Sequence, residues 1–187
     1  GGLLYGRGEA PFVGIPDKMK PEETIFIVTG SIPNKRSTPL VDEWFGLQYE
    51  NGRFVKSLSM NELLAHTGFR STKIPNSASL TEADVAEAEG LLPDAVEHAK
   101  KYLEGYYQSY QSHINPLLDE ELDKLAELET RHKYYQLSLF ESERKKSEQE
   151  RMVDELFDKF TTWVTDTMSI QNNPYIRIMA VMKGVTR

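Results

Sequence analysis

Among the 187 residues there is no cysteine. Disulfides, thiolate metal sites and a cysteine nucleophile are therefore excluded, and the cytoplasm is the expected compartment. No apolar run approaches the ~20 residues of a membrane span, and no secretory leader pattern is visible. An HExxH pair and a G-x-S-x-G elbow are also missing. The four histidines, His66, His98, His113 and His132, have no metal-ligand spacing, although His98 and His132 are placed to face each other across paired helices. The adjacent carboxylates Glu22-Glu23 and Asp42-Glu43 diverge on a strand and make no acid/base dyad. No catalytic, cofactor-binding or metal-binding residue is expected. The initiator methionine is absent too: the chain opens Gly1-Gly2, which is expected of an excised fragment carrying a tag remnant.

Residues 117–173 hold neither glycine nor proline. Hydrophobic content is 39% and charged content 27%, a balance that suits long solvated helices. The net charge of -7 conceals an asymmetry. Residues 1–78 carry nine Lys/Arg against eight Asp/Glu, residues 79–170 ten against twenty-one, and residues 171–187 three against none. An acidic middle repels phosphate backbones, so nucleic-acid contact belongs to the two ends.

The first block, 1–78, reads as a β-rich base with one short helix. "ETIFIVTG" (23–30) is β-branched and aromatic, bounded by prolines and a glycine. "DEWFGLQYENGRFVKSL" (42–58) is a hairpin: Asn51-Gly52 suits a type I′ turn, Phe45, Leu47 and Tyr49 alternate on the first strand, and Phe54 begins the return. Ser59 and Glu62 make a capping box for a helix that Gly68 closes. Residues 69–80 read as a loop.

The second block, 79–170, is an acidic helical hairpin. Thr81 with Asp84 caps a short helix ending near Gly90, and Pro93 opens the next. Val96, Ala99, Leu103, Tyr107, Tyr110 and Ile114 form one apolar stripe, which Asn115-Pro116 breaks. Beyond it, Leu118, Leu125, His132, Leu139, Val153 and Phe160 keep one heptad phase, and a second line runs through Leu128, Tyr135, Leu156 and Trp163. The shared phase favours one helix over roughly 117–168; the competing arrangement is two helices hinged near 143–150. Leu103, Tyr107, Tyr110, Leu125, His132, Tyr135 and Leu139 are the expected packing residues, with Gly105 allowing close helix approach. In the last block, 171–187, Ile176, Ile178, Ala180 and Met182 alternate with Tyr175, Arg177, Met179 and Val181. A strand apolar on both faces belongs inside a sheet, so it is expected to return to the base. The fold class is α+β: a small antiparallel sheet of N-terminal strands plus the C-terminal strand, with a long antiparallel helical hairpin.

"GSIPNKRST" (30–38) has the outline of a P-loop, G-x-x-x-x-G-K-[ST], but fails it. Lys35 stands where the second glycine belongs, Pro33 removes an amide, and a strand follows instead of a helix. A basic surface turn between strands is the expectation, from which Lys35 and Arg36, with Arg53 or Lys56, could touch a phosphate backbone without sequence specificity. The tyrosines 102, 106, 107, 110, 134 and 135 have helical spacing and are read as packing residues.

In order, "FVGIPDK…ETIFIVTGSIPNKRSTPLVDEWFGLQYENGRFV", "LPDAVEHAKKYLEGYYQ" and "LFDKFTTWVTDTMSIQNNPYIRIMAVMKG" resemble the C-terminal region that follows the motor in some large bacterial Swi/Snf-type (superfamily two) helicases. The resemblance implies a non-catalytic accessory domain of a DNA-dependent ATPase. Its partner would be the motor domain in the same chain, or another protein met through the acidic helices, with DNA contact through the basic base. The Walker A lysine and the acidic box of such motors are absent, so no catalytic residue carries over. The alternative is a free-standing coiled-coil adaptor whose dimerisation would be lost on charging Leu125 or Leu139.

Overall fold

The computed structural model describes residues 10–16, 18–68, 80–137 and 143–186. The chain is α+β. Strands β1 (Phe12–Pro16), β2 (Glu23–Pro33), β3 (Pro39–Glu50) and β4 (Arg53–Ser59) precede helices α1 (Met60–Thr67), α2 (Glu82–Leu137) and α3 (Glu143–Met168), and strand β5 (Tyr175–Val185) follows them. The five strands form one sheet in the order β1-β5-β2-β3-β4. Among the described residues no helix is long and apolar enough to cross a membrane. The described residues fall into two compact units. One holds the chain up to Ser31, Val41–Gly105 and Pro174 onward; the other holds Ile32–Leu40 and Tyr106–Asn173.

Local chemistry behaves as the sequence predicts. Asn51 and Gly52 take φ of 52° and 72°, the positive values a type I′ turn demands. The Ser59–Glu62 capping box is complete, and Gly68 ends α1 with φ of 68°. Thr81 and Asp84 exchange hydrogen bonds at the start of α2. These bonds hold the Asp84 carboxyl below its ordinary pKa.

In the sheet unit, alternation assigns the two faces. Ile25 and Ile27 of β2 pack with Ile15, Met19, Leu58, Leu63 and Met182 on the α1 side. Phe26 stacks edge-on against Tyr49 on the other side, and Phe45 lies against Tyr102 of α2. Ala95, Ala99 and Leu103, at helical spacing on α2, are fully buried. Leu103 fills the space above Gly30, where a built Cβ would lie 2.5 Å from its Cδ1. Strand β5 does return to the sheet and lies inside it. It pairs antiparallel with β2, from Thr24↔Lys183 to Ser31↔Tyr175, and parallel with β1, from Phe12↔Val181 to Pro16↔Val185. The strand β1 itself was not anticipated as a separate element.

The helices differ from expectation in three ways. First, α2 is continuous from Glu82 to Leu137, so Gly90, Pro93 and Asn115-Pro116 do not divide it. A proline inside a helix forfeits one backbone bond and costs ~3 kcal/mol. At Pro93 the buried row of Ala88, Ala95, Ala99 and Leu103 offsets that cost. Second, there is no single helix over 117–168. Instead α2 ends at Leu137 and α3 begins at Glu143, at the near edge of the hinge expected near 143–150, and the two pack against each other. The ring of His132 lies 6.1 Å from that of Phe157, and Lys133 pairs with Asp154. A straight helix would hold residues 25 apart at about 37 Å. The heptad phase continues into α3 because both helices use it to pack on each other. Third, His98 and His132 do not face each other: both lie on α2, His98 stacked on Phe54 and His132 against Phe157. Gly105 meets no atom within 4 Å of a built Cβ, so it serves no close approach. The expected packing residue Leu139 and the loop at 69–79 lie outside the described residues.

The two kinds of glycine separate by experiment. A Cβ at Gly184 would fall 1.8 Å from the Lys20 carbonyl oxygen, where only backbone can yield. In urea unfolding, Gly184→Ala is expected to lose at least ~3 kcal/mol. Gly105→Ala, into open space inside a helix, is expected to gain about 0.5–1 kcal/mol.

Candidate functional site

The turn at 34–38 is built around one side chain. Asn34, 2% exposed, accepts hydrogen bonds at Oδ1 from the amides of Arg36 (2.9 Å) and Thr38 (2.8 Å). Its Nδ2 donates to the Thr167 carbonyl at the end of α3 (2.9 Å). The Asn34 amide donates to the Thr38 carbonyl, and the Ser37 amide to the Asn34 carbonyl. Ser37 sits at φ of 62° to complete the loop. Amides that a phosphate nest would aim outward are turned inward onto Asn34. The segment is the surface turn between β2 and β3 that the sequence implies.

Of the expected phosphate-contacting residues, Lys35 and Arg36 sit on this turn and are exposed. Lys35 lies 3.8 Å from Asp166 of α3. Arg36 lines a shallow, open hollow of about 350 Å³ with Asp158, Lys159, Thr162, Trp163 and Asp166. Three cations here meet two carboxylates, which lowers the local potential felt by a phosphate. Arg53 and Lys56 are exposed on β4, in the other unit.

The buried polar groups of the sheet unit are structural. Glu23, 4% exposed, takes hydrogen bonds from Gln48 and from the amide of Lys20, and its carboxylate meets His66. Lys183 of β5 reaches Glu87 of α2 at 2.7 Å. The Tyr49 hydroxyl donates to Asp94 at 2.8 Å. Burial first, and that bond second, push the Tyr49 phenol well above its ordinary pKa. Each group ties a helix to the sheet or one strand to another. Among the described residues there is no cluster of three or more His, Asp or Glu fit to hold a metal ion.

The expected packing residues divide by environment. Leu103 is buried against the sheet, not within the hairpin. Tyr107, Tyr110, Leu125 and His132 are half-buried. Tyr135 is exposed, its ring edge-on to that of Tyr134. The hairpin of the second unit therefore closes through only part of its apolar surface. Val153 is buried and Phe157 half-buried facing α2, whereas Leu128, Tyr135, Met152, Leu156, Phe160 and Trp163 are 46–67% exposed. On α3 the last four recur at intervals of four, four and three, a straight stripe. On each helix the exposed row is displaced in the same rotational sense from the residues facing the partner helix. Since the helices are antiparallel, the two rows share one face of the hairpin. Sequence reasoning found this line through Leu128, Tyr135, Leu156 and Trp163. Its spacing did not show that it stays outside.

Asn34→Ala tests the turn. It removes three hydrogen bonds and leaves a buried site unfilled, so a loss of about 2–3 kcal/mol in urea unfolding is expected. An unchanged midpoint would mean that the turn is held by its backbone alone.

No family model, no curated protein and no solved structure matches the chain.

Proposed function

We propose that the chain is a non-catalytic interaction module of the cytoplasm, working through the exposed apolar face of the α2–α3 hairpin. One observation carries the reading: six large apolar side chains, two of them on α2 and four on α3, stand about half exposed on one face. Taking roughly 100 Å² for each, about half of the area an aromatic side chain buries, the patch amounts to roughly 600 Å². That is the size at which an exposed apolar patch on a soluble protein marks a contact surface. The remaining surface of the hairpin is laced with solvated ion pairs such as Lys124 with Glu120 and Glu121, or Arg131 with Glu127. The absence of cysteine favours the cytoplasm.

Photo-cross-linking in the source cells tests this directly. A benzophenone side chain at Phe160 or Trp163 is expected to give a protein adduct, and one at Ser147 or Thr161, on other faces of α3, is not. Adducts absent from all four positions, or equal at all four, overturn the reading.

The helicase-type resemblance adds that such a module follows a DNA-dependent ATPase motor in one polypeptide, and this addition rests on the resemblance alone. An antibody raised against the chain is expected to detect a native protein several times larger than 21.4 kDa. A band near 21.4 kDa removes the motor and leaves the free-standing adaptor.

A further inference from the structure

We infer that the occupant of the hairpin's apolar face is a second copy of the same chain, seated about a two-fold axis that crosses α3 near residue 158. The inference rests on reading that face as an interaction surface and adds the identity of the partner.

The stripe on α3 is self-complementary when one copy is reversed against the other. With the axis level with Asp158, Leu156 comes opposite Phe160 of the second copy, and Phe160 opposite its Leu156. Met152 then arrives within one residue of the second copy's Trp163, a thioether against an aromatic ring, which is a favourable contact. A two-fold contact uses the same patch twice, so each half must supply both members of every pair. The stripe does so: two aromatic rings at one end are matched by two flexible aliphatic side chains at the other.

The charges bordering the stripe point the same way. Lys159 lies along its rim together with Glu148 and Glu155, each three or four residues from a member of the stripe, and Arg151 stands one row further out. In the single copy, Arg151 and Glu155 are joined only by an exposed 3.7 Å pair. About the same axis Lys159 comes within one turn of the second copy's Glu155, and the reverse pair follows by symmetry. A rim of both signs suits a copy of itself; a strongly basic or strongly acidic partner would meet like charge at half of these positions. The area agrees as well. An apolar patch of roughly 600 Å² with its polar rim approaches the ~800 Å² per partner of a standard interface.

This surface is not the one the heptad pattern first implicates. Leu125 is half-buried on α2, and Leu139 lies outside the described residues. The dimer joins Leu156 and Trp163 of the second heptad line with Met152 and with Phe160, a member of the first line that the hairpin leaves exposed.

Equilibrium sedimentation of the 187-residue chain tests the inference. The apparent mass is expected to double from 21.4 kDa as concentration rises through the micromolar range, the scale of a modest interface. Leu156→Glu and Phe160→Glu are each expected to hold the protein at the single mass with an unchanged far-ultraviolet spectrum, since both side chains are exposed in the single copy. Should either fail to fold, the charge swap decides. Lys159→Glu alone should weaken association about tenfold, and Lys159→Glu with Glu155→Lys should restore it. A wild-type chain that stays at 21.4 kDa throughout, or a dimer indifferent to both glutamates, overturns the inference. The in-cell adducts then separate the two failures. Adducts from Phe160 and Trp163 whose mass is not twice that of the polypeptide carrying the benzophenone keep the interaction face and discard the second copy; no adduct discards both.

Discussion

An interior strand that is apolar on both faces must have a neighbour on each side, and β5 imposes that condition on this chain. It pairs with β2 from Tyr175 to Lys183 on one edge and with β1 from Val181 to Val185 on the other. The chain must therefore return to a sheet it began before either long helix. Everything between Ser59 and Tyr175 is an excursion with both ends fixed. At its close the Gln171 amide donates to the Pro33 carbonyl, and Asn34 bridges to Ile170, so the end of the excursion is secured against the turn after β2. The helices can be polar and solvated over most of their surface because the sheet unit, with its fully buried Phe26, Phe45, Leu47 and Tyr49, holds a core of its own.

What the residues revealed was local. The Asn51-Gly52 turn, the box around Ser59 and Glu62, and the left-handed Gly68 are each decided by chemistry within four residues. The need of β5 for two neighbours was also legible, since it follows from the composition of one strand. What was hidden depended on partners distant in sequence. Proline reads as a helix stop because its own neighbourhood loses a bond. Whether the helix survives depends on the sheet under Ala95, Ala99 and Leu103, which local rules do not contain. The heptad phase was real, but a phase describes which residues face inward and not where the chain turns. β1 escaped notice because five residues ending in proline carry a weak strand signal, and its partner β5 is about 170 residues away.

The candidate site shows the same division. Lys35 and Arg36 are visibly basic in sequence, whereas the carboxylates beside them, Asp158 and Asp166, come from α3, more than a hundred residues later. Asn34 gave no sequence signal beyond turn propensity. Its importance comes from the Thr167 carbonyl it reaches. The exposed ion pairs on α2 and α3 contribute little stability each, on the order of 0.5 kcal/mol. Their effect is to keep those faces wet, in contrast with the row of half-exposed apolar side chains from Met152 to Trp163.

The placement of β5 also orders events in time. The β3–β4 hairpin closes over two residues and can form within about 1–10 μs of being made. The pairing Thr24↔Lys183 spans nearly the whole chain. On a ribosome adding ~5–20 residues per second, β1 and β2 wait several seconds for the strand that joins them. Over that interval Phe26 and Val28 lie on a strand with one edge open to any other extended segment. The β2–β3–β4 part of the sheet can form first, and a cell that makes this protein has to shelter the open edge of β2 until the last strand arrives.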